Sequence, residues 1–264
     1  MNYWKQGKDH IYVAAHRGWS EKYPENTMEA FRAAIELGVD QIETDIRITA
    51  DGELVLFHDN TLERTTNGTG TVEEKTFAQL RQLDAGSHKG PEFAGCRIPR
   101  LQDLFELVKD HPTMTLDLEL KEYPTEGKEE MAYSVCRRVV EMTERYGYGD
   151  RIVLNTFSGK LHEFIRATWG DRYPQHVFFP EDCMGEHTLD PYSYGYCCCM
   201  FGKDIMAEAE EFETMRARGV RTWAGAGVKD EAGVDMAIAR GAELITCNNP
   251  DVILELLRQK NAHP

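Results

Sequence analysis

Apolar and polar positions follow two periods along this chain, and the two take turns. Short runs rich in β-branched, aromatic and leucine residues predict strands at 12–16, 41–46, 54–58, 114–121, 151–156, 176–179, 196–200, 221–224 and 244–247. Between them, apolar residues recur every three or four positions. That pattern predicts helices over 27–37, 101–109, 128–146, 160–168, 205–218, 231–240 and 252–259. Strand followed by helix, repeated, calls for parallel strands with crossover helices. Eight such units close a ring, so the expected fold class is α/β, a TIM (β/α)8 barrel. The strand candidate at 54–58 is one more than the ring needs and extends the region after the second strand.

The rhythm breaks between Asn60 and Arg100, a turn-rich segment whose short helix is expected to be capped by Thr76 and to end near Gly86. A small insertion after the second strand, 60–100, is therefore expected, either a wall or lid over a site or a decorative excursion. No linker, repeat or low-complexity tract divides the chain, so 1–264 reads as one barrel domain.

Period two also sorts the polar residues. In MTLDLELK, Leu116, Leu118 and Leu120 share one face while Asp117, Glu119 and Lys121 share the other. The outer face of a parallel barrel meets helices and must be apolar, so the charges point inward, toward the mouth where barrel active sites lie. QIETDI does the same with Glu43 and Asp45. Three carboxylates, Glu43, Asp45 and Glu119, thus aim at one mouth, where they cannot all stay ionised without a cation among them. An all-oxygen set suits a hard divalent ion, Mg²⁺ or Ca²⁺, and a salt-bridge cluster with Arg17 and Lys121 is the competing reading. Asp117, one step deeper, reads as a supporting hydrogen-bonding residue.

Two histidines, His16 and His58, end strand candidates near these acids and are candidates for acid–base work, since imidazole titrates near neutral pH. Arg17 offers a fork suited to phosphate oxygens, and Gly18 lets an oxyanion approach the backbone. In Pro24-Glu25-Asn26-Thr27, Asn26 with Glu29 three residues on has the spacing of a capping box, which accounts for the motif as a helix start.

Charge narrows the partners. With 30 Lys and Arg against 45 Asp and Glu, the net charge of −15 repels nucleic acid and anionic lipid, so an anionic substrate needs local cations. No apolar run approaches the ~18 residues of a membrane segment, and MNYWKQGKDH lacks a signal-peptide core. Seven cysteines, with Cys197, Cys198 and Cys199 consecutive, make a poor disulfide framework. Buried thiols and a cytoplasmic location are the expectation. A zinc set from Cys183, His187 and a strand cysteine lacks supporting CxxC spacing.

His16-Arg17-Gly18, the PENT motif, the Glu-x-Asp of IETDI, the Phe57-His58-Asp59 of VLFHDNTLERTTNGTG and the Glu-x-Lys of LELK occur in this order. Together they resemble the glycerophosphodiester phosphodiesterases, most densely over residues 11–121. The resemblance implies a TIM barrel with a small insertion after the second strand. It implies cleavage of a small-molecule glycerophosphodiester to sn-glycerol 3-phosphate and an alcohol with one divalent cation. Carried over, His16 and His58 become the acid–base pair, Glu43, Asp45 and Glu119 the metal ligands, and Arg17 and Lys121 the phosphate contacts. The later strands depart from the family pattern. Trp223 is kept without the polar residues that usually follow it, Ser-Phe is Thr156-Phe157, and Thr-Asp-aromatic-Pro is replaced by Thr246-Cys247-Asn248-Asn249-Pro250. These positions are expected on the mouth wall and glycerol side, with Trp223 either packed on glycerol or buried in the barrel. They motivate two alternatives: a lyase forming a cyclic phosphate from a lysophospholipid or sugar phosphodiester, and a non-enzymatic barrel binding a phosphorylated metabolite.

Overall fold

Alternation along each strand decides what the barrel holds inside and out. The computed structural model describes residues 10–264. Its elements are β1 (Tyr12–His16), α1 (Met28–Leu37), β2 (Gln41–Ile48), β3 (Leu54–Leu56), α2 (Phe77–Leu80), α3 (Leu101–Val108), β4 (Thr115–Leu120), α4 (Glu129–Tyr146), β5 (Ile152–Asn155), α5 (Gly159–Trp169), β6 (Gln175–Phe179), β7 (Cys197–Met200), α6 (Ala209–Ala217), β8 (Arg221–Ala224), α7 (Glu231–Arg240), β9 (Leu244–Cys247) and α8 (Pro250–Gln259). The sheet runs β1-β9-β8-β7-β6-β5-β4-β2 and closes through β1–β2. All eight ring pairings are parallel, so the fold is the closed TIM barrel expected. The extra candidate strand, β3, pairs antiparallel with the end of β2.

Outward residues such as Val13, Ile42, Leu116, Leu118, Leu154, Val177 and Ile245 join the helices in one buried core. Inward residues split by depth. Tyr12, Ala14, Val153, Cys197, Trp223 and Leu244 form an apolar plug in the barrel. Two residues further along the same strands the inward positions are His16, Asn155, Cys199 and Thr246, all on the wall of the mouth cavity. One strand residue therefore separates helix packing from substrate chemistry.

The 60–100 insertion has its own core of Val55, Phe57, Leu62, Val72, Leu80, Ala85 and Ile98. Its short helix is capped by Thr76 as expected but ends at Leu80, well before Gly86. Lys89 Nζ donates to the Ser20 carbonyl at 2.7 Å and Tyr23 meets Phe93 with centroids 5.5 Å apart, so the insertion leans on the loop after β1.

That loop turns back on α1. Gly18 sits at φ 78°, and a Cβ there would come within 2.7 Å of the Ala30 Cβ, so this position needs glycine for close packing on the helix. The helix cap is Thr27, whose hydroxyl accepts from Ala30 N at 3.3 Å. The capping-box reading of Asn26 is therefore corrected. Asn26 is buried in a left-handed turn at φ 54° and its side chain is committed elsewhere. The seven cysteines are free thiols, six of them buried. Among the described residues no helix is long and apolar enough to cross a membrane.

Candidate active site

Register places the acids. Asp45 of β2 lies beside Glu119 of β4, and Glu43 beside Asp117, on adjacent parallel strands. Inward side chains at matched positions must converge, and carboxylate oxygens of Glu43, Asp45 and Glu119 lie within 4.8 Å of one another, all buried. Three acids in so little space disfavour full ionisation. Burial, then Asp45 and Glu119, push Glu43 well above the usual range, and burial followed by Asp45 raises Glu119 to about 7. Burial also pushes Asp45 upward, but Lys121 and Arg17 outweigh it and hold this carboxyl low.

Both cations expected near the cluster are there. Lys121 Nζ reaches Glu119 at 2.6 Å and Asp45 at 3.3 Å. The Arg17 guanidinium lies 3.2 Å from Asp45 and 2.9 Å from Glu25, while its peptide N–H donates to Glu43 Oε2 at 3.0 Å. The salt-bridge cluster is therefore present, and the same carboxylates lie close enough together to hold a metal ion. Two cations against three carboxylates leave an excess of acid. Asp45 Oδ1 has only the 3.3 Å ion pair with Lys121 Nζ and accepts no hydrogen bond of good geometry among the described residues. An all-oxygen donor set with surplus negative charge fits one hard divalent cation.

Asp45 is oriented from behind. Asn26 Nδ2 donates to Asp45 Oδ2 at 2.7 Å, and Asn26 Oδ1 accepts from Thr44 at 2.7 Å. The residue read as a helix cap thus supports a candidate metal ligand.

The two histidines face the same cavity with unlike partners. His16 ends β1, its Nδ1 2.6 Å from Asn248 Oδ1 and its Nε2 3.8 Å from Glu43. Burial, then the Arg17 charge, lower its pKa to about 4. His58 lies two residues beyond β3, its Nδ1 2.5 Å from Asp59 Oδ1. Burial lowers its pKa too, against the pull of Asp45. Arg64, from the insertion, grips Asp59 through Nε at 2.5 Å and Glu25 at 2.7 and 2.8 Å. Arg47 donates to the His58 carbonyl at 2.9 Å.

The cavity measures about 230 Å³. His16, Arg17, Glu43, His58, Glu119 and Lys121 line one side, and Asn155, Phe157, His176, Phe178, Phe201 and Thr246 the other. Phe157 and Phe178 stack with centroids 3.9 Å apart, and Phe201 lies parallel to Phe178 at 5.5 Å. Trp223 is placed in the plug, 2% exposed, its ring packed edge-to-face with His176 at 4.7 Å between centroids and absent from the cavity wall. At the strand end after β8, Gly225 and Ala226 form the wall instead. Asn248 carries the largest surprise. Expected on the substrate wall, it holds His16.

The family model for the glycerophosphoryl diester phosphodiesterase family matches residues 16–176. The chain is 41% identical over 150 residues to a glycerophosphodiester phosphodiesterase of Caldanaerobacter subterraneus subsp. tengcongensis, covering 55% of this chain and 58% of that protein. It is 38% identical over 226 residues to glycerophosphodiester phosphodiesterase 1 of Homo sapiens, covering 76% of this chain and 67% of the human protein. The chain spans about half the length of the bacterial curated relatives it matches. A solved phosphodiesterase from Oleispira antarctica, in complex with the product sn-glycerol-3-phosphate, matches with a TM-score of 0.78 at 26% identity, covering 94% of this chain and 97% of that one.

Proposed function

The chain belongs to the glycerophosphoryl diester phosphodiesterase family, and from that premise we propose that it hydrolyses glycerophosphodiesters to sn-glycerol 3-phosphate and an alcohol. One observation carries this reading: two histidines with unlike partners line one cavity beside a cluster of three buried carboxylates.

The partners assign the roles. Asn248 Oδ1 meets His16 Nδ1 and also accepts from Ser20 Oγ at 3.1 Å; an amide oxygen only accepts, so in this arrangement Nδ1 carries the proton. The lone pair of His16 is then on Nε2, and a pKa of about 4 keeps it bare at neutral pH. His16 is the base that takes the proton of the attacking oxygen. His58 donates Nδ1–H to the Asp59 carboxylate, which opposes the lowering of its pKa by burial and favours the imidazolium whose Nε2–H can be given to the leaving alkoxide. Arg17 and Lys121 face the same space and stabilise charge gathering on the phosphate oxygens. Glu43, Asp45 and Glu119 would hold one divalent cation, Mg²⁺ or Ca²⁺, which when bound supplies further positive charge against that phosphate.

Purified protein with glycerophosphocholine or glycerophosphoethanolamine, Mg²⁺ or Ca²⁺, and then chelator, tests the proposal. Release of sn-glycerol 3-phosphate that chelator stops is expected. No release from any diester overturns it. A cyclic phosphate as final product in the phosphorus NMR spectrum would assign a lyase instead.

A further inference from the structure

Behind the acids and the two mouth histidines lies a pair that the reaction above leaves unused. Asp117 of β4 and His176 of β6 meet inside the barrel, His176 Nδ1 2.7 Å from Asp117 Oδ2. The ring is 4% exposed and rests edge-on against Trp223 at 4.7 Å. Its Nε2 has no hydrogen-bond partner among the described residues, and the residue lines the cavity. Asn155, its neighbour in register on β5, is 3% exposed, lines the same cavity, and has Oδ1 likewise unpartnered among the described residues.

The chemistry of these atoms is specific. Asp117 engages His176 Nδ1, which leaves Nε2 as the ring atom without a partner among the described residues. Asn155 Oδ1 is an acceptor without a donor among the described residues. Two buried polar atoms without partners, on residues that line one cavity, cost free energy unless a partner arrives. A phosphate oxygen brings Asn155 Oδ1 no donor, whereas a hydroxyl both donates and accepts. We propose that His176, positioned by Asp117 and assisted by Asn155, is a specificity residue that hydrogen-bonds a substrate hydroxyl on the cavity wall. This rests on the reading that a glycerophosphodiester occupies the cavity, whose glycerol moiety carries such hydroxyls.

The test compares sn-glycerol 3-phosphate with n-propyl phosphate, which keeps the phosphate and lacks the hydroxyls. In calorimetry with the metal-loaded protein, the wild type should bind the glycerol compound about three- to tenfold more tightly, the range of one or two neutral hydrogen bonds. His176→Phe should bring that preference to near one and leave propyl phosphate affinity unchanged. His176→Gln, which restores a hydrogen-bonding group, should recover part of it. Equal weakening toward both ligands, or an unchanged preference, overturns the proposal. Should the Phe variant fail to fold, the wild type still decides: the His176 Nε2 nitrogen resonance must shift with sn-glycerol 3-phosphate and not with propyl phosphate. Diester turnover, measured separately, judges the activity. Turnover with no hydroxyl preference defeats this inference alone, and preference without turnover defeats only the proposed reaction.

Discussion

Asn248 Oδ1 and His16 Nδ1 lie 2.6 Å apart, so a neutral amide orients the histidine at the end of β1. An amide fixes the tautomer without adding charge. Burial and then the Arg17 charge lower the imidazole pKa to about 4, against the upward pull of the Asn248 hydrogen bond. Asn248→Asp places a negative charge on Nδ1 and favours the imidazolium. The base must be unprotonated to act, so the acidic limb of kcat/KM against pH should move to higher pH in this variant. An unmoved limb would remove His16 from the role of base.

Glu43 and Glu119 are pushed up by burial and mutual repulsion. Between the ordinary glutamate value of 4.5 and about 7, metal-free folded protein keeps a Glu119 proton that the unfolded chain has released. Folded protein binds more protons in that window, so metal-free stability from this group falls as pH rises through it. The depressed Asp45 acts in the opposite sense, at pH below this window. A cation needs these carboxylates ionised, so its binding strengthens over the same range. The rise in Tm on adding Mg²⁺ or Ca²⁺ should be larger at pH 8 than at pH 5.5, and should shrink in Glu119→Gln. A pH-independent rise would contradict this cluster as the binding site.

Lys121 is 8% exposed among acids. Removing one partner of a buried ion pair typically costs about 3–5 kcal/mol. Lys121→Met should lose stability of that order in urea without metal, and regain most of it when a divalent cation replaces the missing charge. Equal losses with and without metal would separate Lys121 from the cation's site.

His16→Ala and His58→Ala should each lower kcat by about 10²–10⁴ at unchanged fold. Full activity in either variant would refute its role.

Arg64 tests the insertion's part. It joins Asp59, whose carboxyl it and His58 hold near 2 despite burial, to Glu25 beside Arg17. Being half exposed, its ion pairs should contribute no more than about 1 kcal/mol to stability. Arg64→Ala should therefore melt normally yet lose roughly tenfold in kcat, because Asp59 is freed to rotate away from His58. Unchanged kcat would make the insertion a bystander.

The barrel was legible because both periods were clean. MTLDLELK assigned Leu116 and Glu119 to opposite faces, and the structure keeps them there. Residues whose neighbours in space lie on adjacent elements, such as Glu43, Asp45 and Glu119, could be grouped from strand order alone. Pairs that skip a strand, or that reach just past a strand end, could not. His176 on β6 meets Asp117 on β4 with β5 between them, and Asn248 reaches His16 from just beyond β9, the strand that closes the ring on β1, so neither bond follows from the pattern within one strand. Asn26 was misread because Asn is also a good helix cap, and the cap residue proved to be the next one, Thr27. Trp223 was ambiguous because period two says inward without saying how deep.

The cavity is stitched from two unequal contributions. Every group assigned to proton transfer, phosphate charge or cation binding comes from residues 16–121, while the facing wall, from Asn155 to Thr246, is supplied by later strands. Asn248 ties that later half to His16 through a hydrogen bond. A lineage carrying this barrel can therefore redraw what it accepts by editing one arc of the ring while inheriting its chemistry untouched from the other. A chimaera joining the first three parallel strands of this chain to the last five of a relative should take its selectivity from the donor of the second arc.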